Sequence, residues 1–219
     1  MPASSTTPTR DVHRKSRKGE LTAERILDAA EELFAERGYA GTSLRDVATA
    51  VGIRIPSLYN HFESKEALYA AVFERDLRPV LRALSDTAVP GRDAGEPSRE
   101  LVATVMRVMA AHPRLPSLIQ HETLTGGEHL TPTLRSWLVP LFKRGDELVE
   151  VGPGGSQWDR DELSLLVLAM YHVIVGYFTI APLYKLLDGR DLLSEKMLEK
   201  QTRVFGDLVE LVFGARTGK

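Results

Sequence analysis

The sequence predicts an all-α protein of two domains, and three observations carry that expectation. Apolar residues recur three and four apart through most of the chain, and glycines and prolines punctuate those runs at helix-ending positions. No stretch alternates apolar and polar residues in the manner of a half-buried strand. Between residues 85 and 98 the stretch SDTAVPGRDAGEPS carries turn residues and few large apolar groups, which separates a smaller N-terminal domain from a larger C-terminal one. The expected bounds are 1–20 for a disordered basic arm, 21–84 for the first domain and 85–219 for the second.

The elements follow in order. Ile26, Ala30, Leu33 and Phe34 recur at helical spacing between Thr22 and Arg37, and Gly38 stands where a left-handed C-cap belongs. Ser43 is placed to cap a short second helix, Asp46 favours its first turn, Leu44, Val47, Ala48 and Val51 form its buried stripe, and Gly52 ends it. Pro56 suits the first turn of a third helix whose Leu58 and Phe62 face inward. Ser64 caps a longer fourth helix that buries Leu68, Val72 and Phe73. Beyond residue 98 the pattern predicts a helix over 99–111, a proline-broken segment around HPRLPSLIQHETL, a helix over 133–149, a loop GPGGSQ, and two long helices over 159–187 and 194–213.

Composition narrows the function classes. The 219 residues suffice for a substantial core, and the absence of cysteine removes disulfides, thiol nucleophiles and thiolate metal sites. The N-terminus lacks the apolar core of a secretory signal, so a cytoplasmic location is expected. The formal net charge of −2 argues against a uniformly cationic nucleic-acid binder. Up to Lys18, however, Arg10, Arg14, Lys15, Arg17 and Lys18 oppose only Asp11, so a basic feature exists locally. His112, His121, Glu122, His129 and His172 lack metal-ligand spacing, since HETLT has no second histidine, and no cofactor is expected. GPGGS is not followed by the Gly-Lys-Ser/Thr of a phosphate cradle.

From Leu163 to Tyr184 there is no Asp, Glu, Lys or Arg, a run long enough to span a bilayer. Ser164, His172 and Thr179 interrupt it, and no basic cluster flanks it to set an orientation. A helix apolar all round is equally suited to burial on two sides, in its own core and against a partner. The last helix carries Met197, Val204, Leu208, Leu211 and Val212 on one side, with Phe205 and Val209 beside them. Two adjacent helices with broad apolar faces at the end of one chain suggest a four-helix seam between two copies, with a monomeric core as the alternative, and no membrane partner is expected.

Helix two, the turn VGIRIP and helix three have the lengths and the terminal glycine of a helix-turn-helix. With Leu58 and Phe62 inward, Tyr59, Asn60 and His61 are turned outward, an arrangement suited to contact with a groove. The stretch ERILDAAEELFAERGYAGTSLRDVATAVGIRIPSLYNHFESKEALYAAVF resembles the DNA-binding domain of TetR/AcrR-type transcriptional regulators. It has the Gly–aromatic pair after helix one, the Thr-rich start of helix two, the Ala-x-x-x-Gly turn and a version of L-Y-x-H-F-x-S-K-E-x-L. The resemblance covers about the first third of the chain. The rest is similar only in being helical and ending in two long helices.

The resemblance implies an N-terminal three-helix DNA-binding domain followed by a larger helical domain for ligand binding and dimerisation. It implies that Arg45 contacts DNA and that Ile55, Pro56 and Ser57 lie at the groove-facing start of helix three. It further implies that Tyr59 and His61 bond phosphates, with Lys65 adding charge to the backbone contact. Thr42 and Ser43 are expected to donate similarly, and Asn60 completes the polar cluster. Ile55 departs from a hydrogen-bonding role and offers only apolar contact, for example to a thymine methyl, which leaves Arg54 as the candidate reader of guanine. Structural alternatives stand beside these: Tyr59 packing on helix two, His61 as a cap partner, Arg54 as a solvated charge.

The resemblance also implies a small-molecule site in the C-terminal domain, with a homodimer bound to an operator duplex. Trp137, Tyr171, His172, Tyr177 and Phe178, with His121 and Glu122, are the expected lining, and a hydrophobic or aromatic effector suits so few charges. The structural alternative for each aromatic is the core. A repressor is the expected regulator, with a membrane-associated protein and a helical metal-dependent enzyme as the competing classes.

Overall fold

The computed structural model describes residues 9–87, 95–129, 135 and 159–213, and among them there are helices and turns but no strand. Apart from residue 135, which is helical, the expected helix over 133–149 lies outside the described residues, as do the loop GPGGSQ and Trp137. The chain divides into two compact units, Met1–Val72 and Phe73–Lys219.

In the first unit, α1 (Thr9–Arg37) is longer than its apolar pattern. It begins at Thr9, which corrects the expectation of an irregular arm through residue 20. No proline follows Pro8 in this stretch, and a helix nucleated on a buried face extends readily through Lys, Arg and Glu. The buried face is Ile26, Leu27, Ala30, Leu33 and Phe34. Gly38 ends the helix with φ 69°, its N–H bonded to the Phe34 carbonyl at 2.9 Å.

The capping box of α2 (Leu44–Val51) is complete: Asp46 N–H donates to Ser43 Oγ, and Ser43 N–H donates to Asp46 Oδ2 at 2.9 Å. Val47, Ala48 and Val51 are buried, while Leu44 is half-buried. Gly52, at φ 74°, closes α2 in the left-handed conformation. The next helix, α3 (Ile55–Tyr59), has five residues, so it ends before Asn60 and His61. Those two residues form a turn whose backbone bonds return to Leu58, from His61 N–H at 2.9 Å and Phe62 N–H at 3.0 Å. Leu58 is fully buried, and Phe62 only half-buried rather than a core residue.

Ser64 Oγ accepts from Ala67 N–H at 3.1 Å and starts α4 (Lys65–Thr87). The helix runs through Pro79 to Thr87, past the boundary expected at 84, and the division between the compact units falls inside it at Val72 and Phe73.

The second unit contains α5 (Gly95–Ala111), α6 (Leu115–Leu124), α7 (Arg160–Asp188) and α8 (Glu195–Phe213). Helix α5 thus begins inside the stretch expected to be a loop. It packs along α8, where Arg99 donates to Glu210 and Asp207, both at 2.6 Å. Asp159 and Glu162 form a capping box for α7, and Gly189 ends it at φ 76°. Tyr177 meets Phe205 of α8 edge-to-face, and Phe178 of its own helix in the same manner. On α8 the buried residues are Phe205 and Val209, while Val204, Leu208 and Leu211 are exposed. The broad stripe expected on this helix is therefore its open side, because α5 covers the other.

Candidate nucleic-acid interface

The N-terminal candidates rest on a framework that α1 and α2 hold from both ends. Arg25 donates to the Val51 carbonyl at 2.8 Å, satisfying a last-turn acceptor of α2. Ile53 N–H then bonds Ala48 O at 2.9 Å, so the turn entering α3 is fixed by the end of α2. Arg54 is the exposed N-cap of α3 and makes no side-chain cap bond. Within α3, Ile55 and Ser57 are half-buried, Pro56 is exposed, and buried Leu58 anchors the segment.

Tyr59 is 52% exposed, against the alternative that it packs on helix two. Asn60 is exposed and His61 half-buried, but both stand in the turn after α3 rather than on it. Arg45 is exposed in the first turn of α2. The exposed polar side chains are thus Arg54, Tyr59 and Asn60, with Ser57 and His61 half-buried beside them and Arg45 on the neighbouring helix.

Two candidates are engaged elsewhere. Thr42 is 2% exposed, and its hydroxyl lies 3.1 Å from Leu33 O and 3.0 Å from Gly38 O. It serves the C-terminal carbonyls of α1, which corrects its assignment as a phosphate donor. Ser43 Oγ lies 2.5 Å from Asp46 Oδ2, so its hydroxyl proton is committed to the capping box, which corrects the same expectation for Ser43. That bond is the first cause holding the Asp46 carboxyl below its ordinary range, followed by the Ser43 backbone bond.

Lys65 is half-buried, its ammonium 4.0 Å from the centroid of the Tyr39 ring, and burial lowers its pKa. Tyr39 donates to Glu66 Oε1 at 2.6 Å. Tyr39 and Glu66 were missed as parts of this site. The available signal was the Gly–aromatic pair after helix one, read only as a motif element.

In the second unit the ligand candidates fall into two groups. Glu122 is buried on α6 and accepts from His129 N–H at 2.7 Å, with His129 Nδ1 at 3.6 Å. Tyr171 Oη lies 2.7 Å from Thr123 Oγ1, and exposed His172 sets its ring edge-to-face with Tyr171, so α6 and α7 carry one polar and aromatic cluster with half-buried His121 nearby in sequence. Tyr177 and Phe178 are instead core residues of α7, and the Tyr177 hydroxyl donates to Leu192 O at 2.5 Å. Their packing is that of core side chains, the alternative expected for each aromatic. Burial, then the charge of Asp191, raises the Tyr177 pKa. Among the described residues no group of three His, Asp or Glu is gathered that could hold a metal ion.

Two family models match the chain: one of bacterial regulatory proteins of the tetR family over residues 26–72, and one of the tetracyclin repressor-like C-terminal domain over residues 96–209. An HTH-type transcriptional regulator of Mycobacterium tuberculosis, MT1294, is 37% identical over 103 residues, covering 46% of this chain and 50% of its own. The HTH-type transcriptional repressor KstR2 of Rhodococcus jostii is 34% identical over 108 residues, 48% of this chain and 53% of its own. The match thus spans about half the length of these curated relatives. A tetR-family regulatory protein from Rhodococcus RHA1 shares the fold with TM-score 0.66 at 21% identity, over 89% of this chain and 98% of that one. The regulator SCO4942 of Streptomyces coelicolor aligns with TM-score 0.63 at 25% identity, over 88% and 98%. With the helix-turn-helix framework in the first unit and the second family model covering more than half of its length, the chain belongs to the tetR family of bacterial transcriptional regulators.

Proposed function

We propose that this protein is a homodimeric, cytoplasmic transcriptional repressor that leaves a pseudo-palindromic operator when its C-terminal domain takes up a small hydrophobic or aromatic molecule. The observation that carries this reading is the set of exposed polar side chains Arg54, Tyr59 and Asn60, with half-buried Ser57 and His61, held on buried Leu58 behind a capped α2. Residues 21–84 act as the DNA-binding head and 85–219 as the effector-binding and dimerisation part.

In this reading Arg54 reads a guanine edge, and Ile55 and Pro56 make apolar contact in the major groove, with Ser57 beside them. Tyr59, Asn60, His61, Arg45 and Lys65 position the head on phosphates. The two heads of the dimer sit in successive major grooves, about 34–36 Å apart.

The exposed Ile180, Leu183, Val204, Leu208 and Leu211 on α7 and α8 support a seam with a second copy. The apolar span Ser164–Asp188 is also long enough to cross a membrane, but membership in a family of transcriptional regulators favours a second copy as its cover.

Effector binding is assigned to the α6 and α7 cluster of His121, Glu122, Tyr171 and His172. A ligand that prefers a conformer with the heads at the wrong spacing lowers DNA affinity a hundredfold with about 2.7 kcal/mol of coupling. Selection of binding sites from random duplexes, followed by a salt titration of the winning sequence, tests the DNA reading. A palindrome, a steep salt slope and weaker binding by Tyr59→Phe are expected. Weak, sequence-blind binding overturns it.

A further inference from the structure

Tyr39 follows the terminal glycine of α1 and forms the outer member of a ring cluster. Its ring stacks with Phe34 at 6.1 Å between centroids and meets Tyr69 edge-on at 5.1 Å, while Phe34 and Tyr69 contact each other at 4.9 Å. Phe34 and Tyr69 are buried, so two closely packed neighbours set the plane of the Tyr39 ring. The first two side chains of α4 then engage that one residue: the Lys65 ammonium lies over its ring and Glu66 accepts from its hydroxyl.

We infer that Tyr39 is a positioning residue for DNA binding, its ring seating the Lys65 ammonium for a phosphate and its hydroxyl holding the Glu66 carboxylate aside. The inference rests on the reading of Lys65 as a phosphate contact. Attraction to a ring face occupies one side of an ammonium and leaves N–H donors on the other. A lysine seated in the free protein has less rotamer freedom to lose when phosphate arrives. Its lowered pKa, caused by burial, marks an ammonium already partly withdrawn from water.

Glu66 presents the opposing problem. Its carboxyl is drawn down to about 2, first by the Tyr39 hydroxyl and then by its own backbone and Ser64, so a full negative charge stands beside Lys65. A carboxylate free to swing would pair with Lys65 or repel a phosphate at the N-terminus of α4. The phenol fixes where that charge lies.

The test is a double-mutant cycle in the full-length protein, using a duplex with the selected palindrome and reading the slope of log affinity against log salt. Lys65→Met is expected to reduce the slope by about 2 per dimer, one phosphate for each head. Tyr39→Leu is expected to produce most of the same loss and to weaken binding about tenfold at low salt. The double variant should be no weaker than the worse single one, because the two residues act as a unit. Additive losses, or an unchanged slope in Tyr39→Leu, overturn the inference while leaving Lys65 a phosphate contact. An unchanged slope in Lys65→Met removes the assignment of Lys65 itself and the inference with it.

Should Tyr39→Leu fail to fold, as its thermal melt will show, Tyr39→Phe keeps the ring and frees only Glu66. It is then expected to bind about threefold more weakly, with Glu66→Gln restoring the loss. Wild-type binding by Tyr39→Phe, or no restoration, overturns the inference.

Discussion

The Arg25 guanidinium, one turn into the patterned part of α1, donates to the main-chain carbonyl of Val51 at 2.8 Å, joining α1 to the last turn of α2. The bond spans 26 residues and sits directly before the glycine turn that delivers α3. Arg25→Met is expected to cost about 1 kcal/mol, since it leaves a part-buried carbonyl at a helix end without its charged donor. A lower urea midpoint, with faster amide exchange at Gly52 and Ile53, would show it; an unchanged midpoint would make the bond incidental.

Gly41 and Gly19 provide a matched pair of substitutions. A Cβ on Gly41 would stand 2.5 Å from the Arg37 main-chain oxygen, so the turn itself would have to move. Gly41→Ala is expected to destabilise by about 2 kcal/mol. Gly19 lies within α1 with nothing within 4 Å of a Cβ, and Gly19→Ala is expected to be neutral or to stabilise by up to about 1 kcal/mol. Thermal melts of the two variants should shift in different directions or at least differ clearly in size.

The pair Tyr39 and Glu66 gives the first unit an acid-sensitive contact. Glu66 falls from 4.5 to about 2 in the folded chain, so its contribution is present above pH 4.5 and is lost as pH falls from there toward 2. Glu66→Gln should therefore lose less stability than wild type across that window and match its slope at neutral pH. Acid titrations followed by circular dichroism would measure the difference, and parallel curves would count against a depressed carboxyl.

Tyr177→Phe separates core from ligand lining. The variant keeps the ring contacts with Phe178 and Phe205 but leaves the Leu192 carbonyl without its hydroxyl donor, at an expected cost of about 1 kcal/mol. Response to effector should be unchanged once one is found, whereas Tyr171→Phe, on the α6 and α7 cluster, should alter it. A changed effector affinity in Tyr177→Phe would return this residue to the binding site.

Leu183 and Leu211 test the seam. Leu211 is 80% exposed and Leu183 48%, and a charge placed where two copies meet would be buried without a partner. Leu183→Glu and Leu211→Glu are expected to shift the sedimentation coefficient toward the monomer and to abolish tight binding of the palindrome. Dimers of normal affinity in both would move the seam elsewhere.

How much of this was legible beforehand depended on range. Ser43, Asp46, Gly38 and Gly52 announced the ends of α1 and α2, because caps and left-handed turns are local and each needs a particular side chain or none. The apolar spacing of Ile26, Ala30, Leu33 and Phe34 likewise fixed one buried face of α1. The same spacing could not show where α1 begins, since propagation from a formed helix, rather than any apolar residue, carries it back to Thr9. Nor could it distinguish an inward stripe from an open one on α8, where the position of α5 leaves Val204, Leu208 and Leu211 uncovered.

At the candidate site the sequence alone pointed to Tyr59, Asn60 and His61 as the outward polar group and to Leu58 as the apolar anchor beneath it. Tertiary structure decided which of the polar side chains are free to act. Thr42 and Ser43 bear suitable hydroxyls, but one is buried against the end of α1 and the other is held in the α2 cap. Lys65 acquires a ring partner 26 positions earlier, at Tyr39, and Tyr177 spends its hydroxyl on the Leu192 carbonyl, which reaches it only because the chain turns back after Gly189. Hydrogen-bonding capacity is a property of a residue type and is written in the sequence; whether that capacity is already occupied depends on which distant groups the fold brings within 3 Å or so, and only the packed chain settles that.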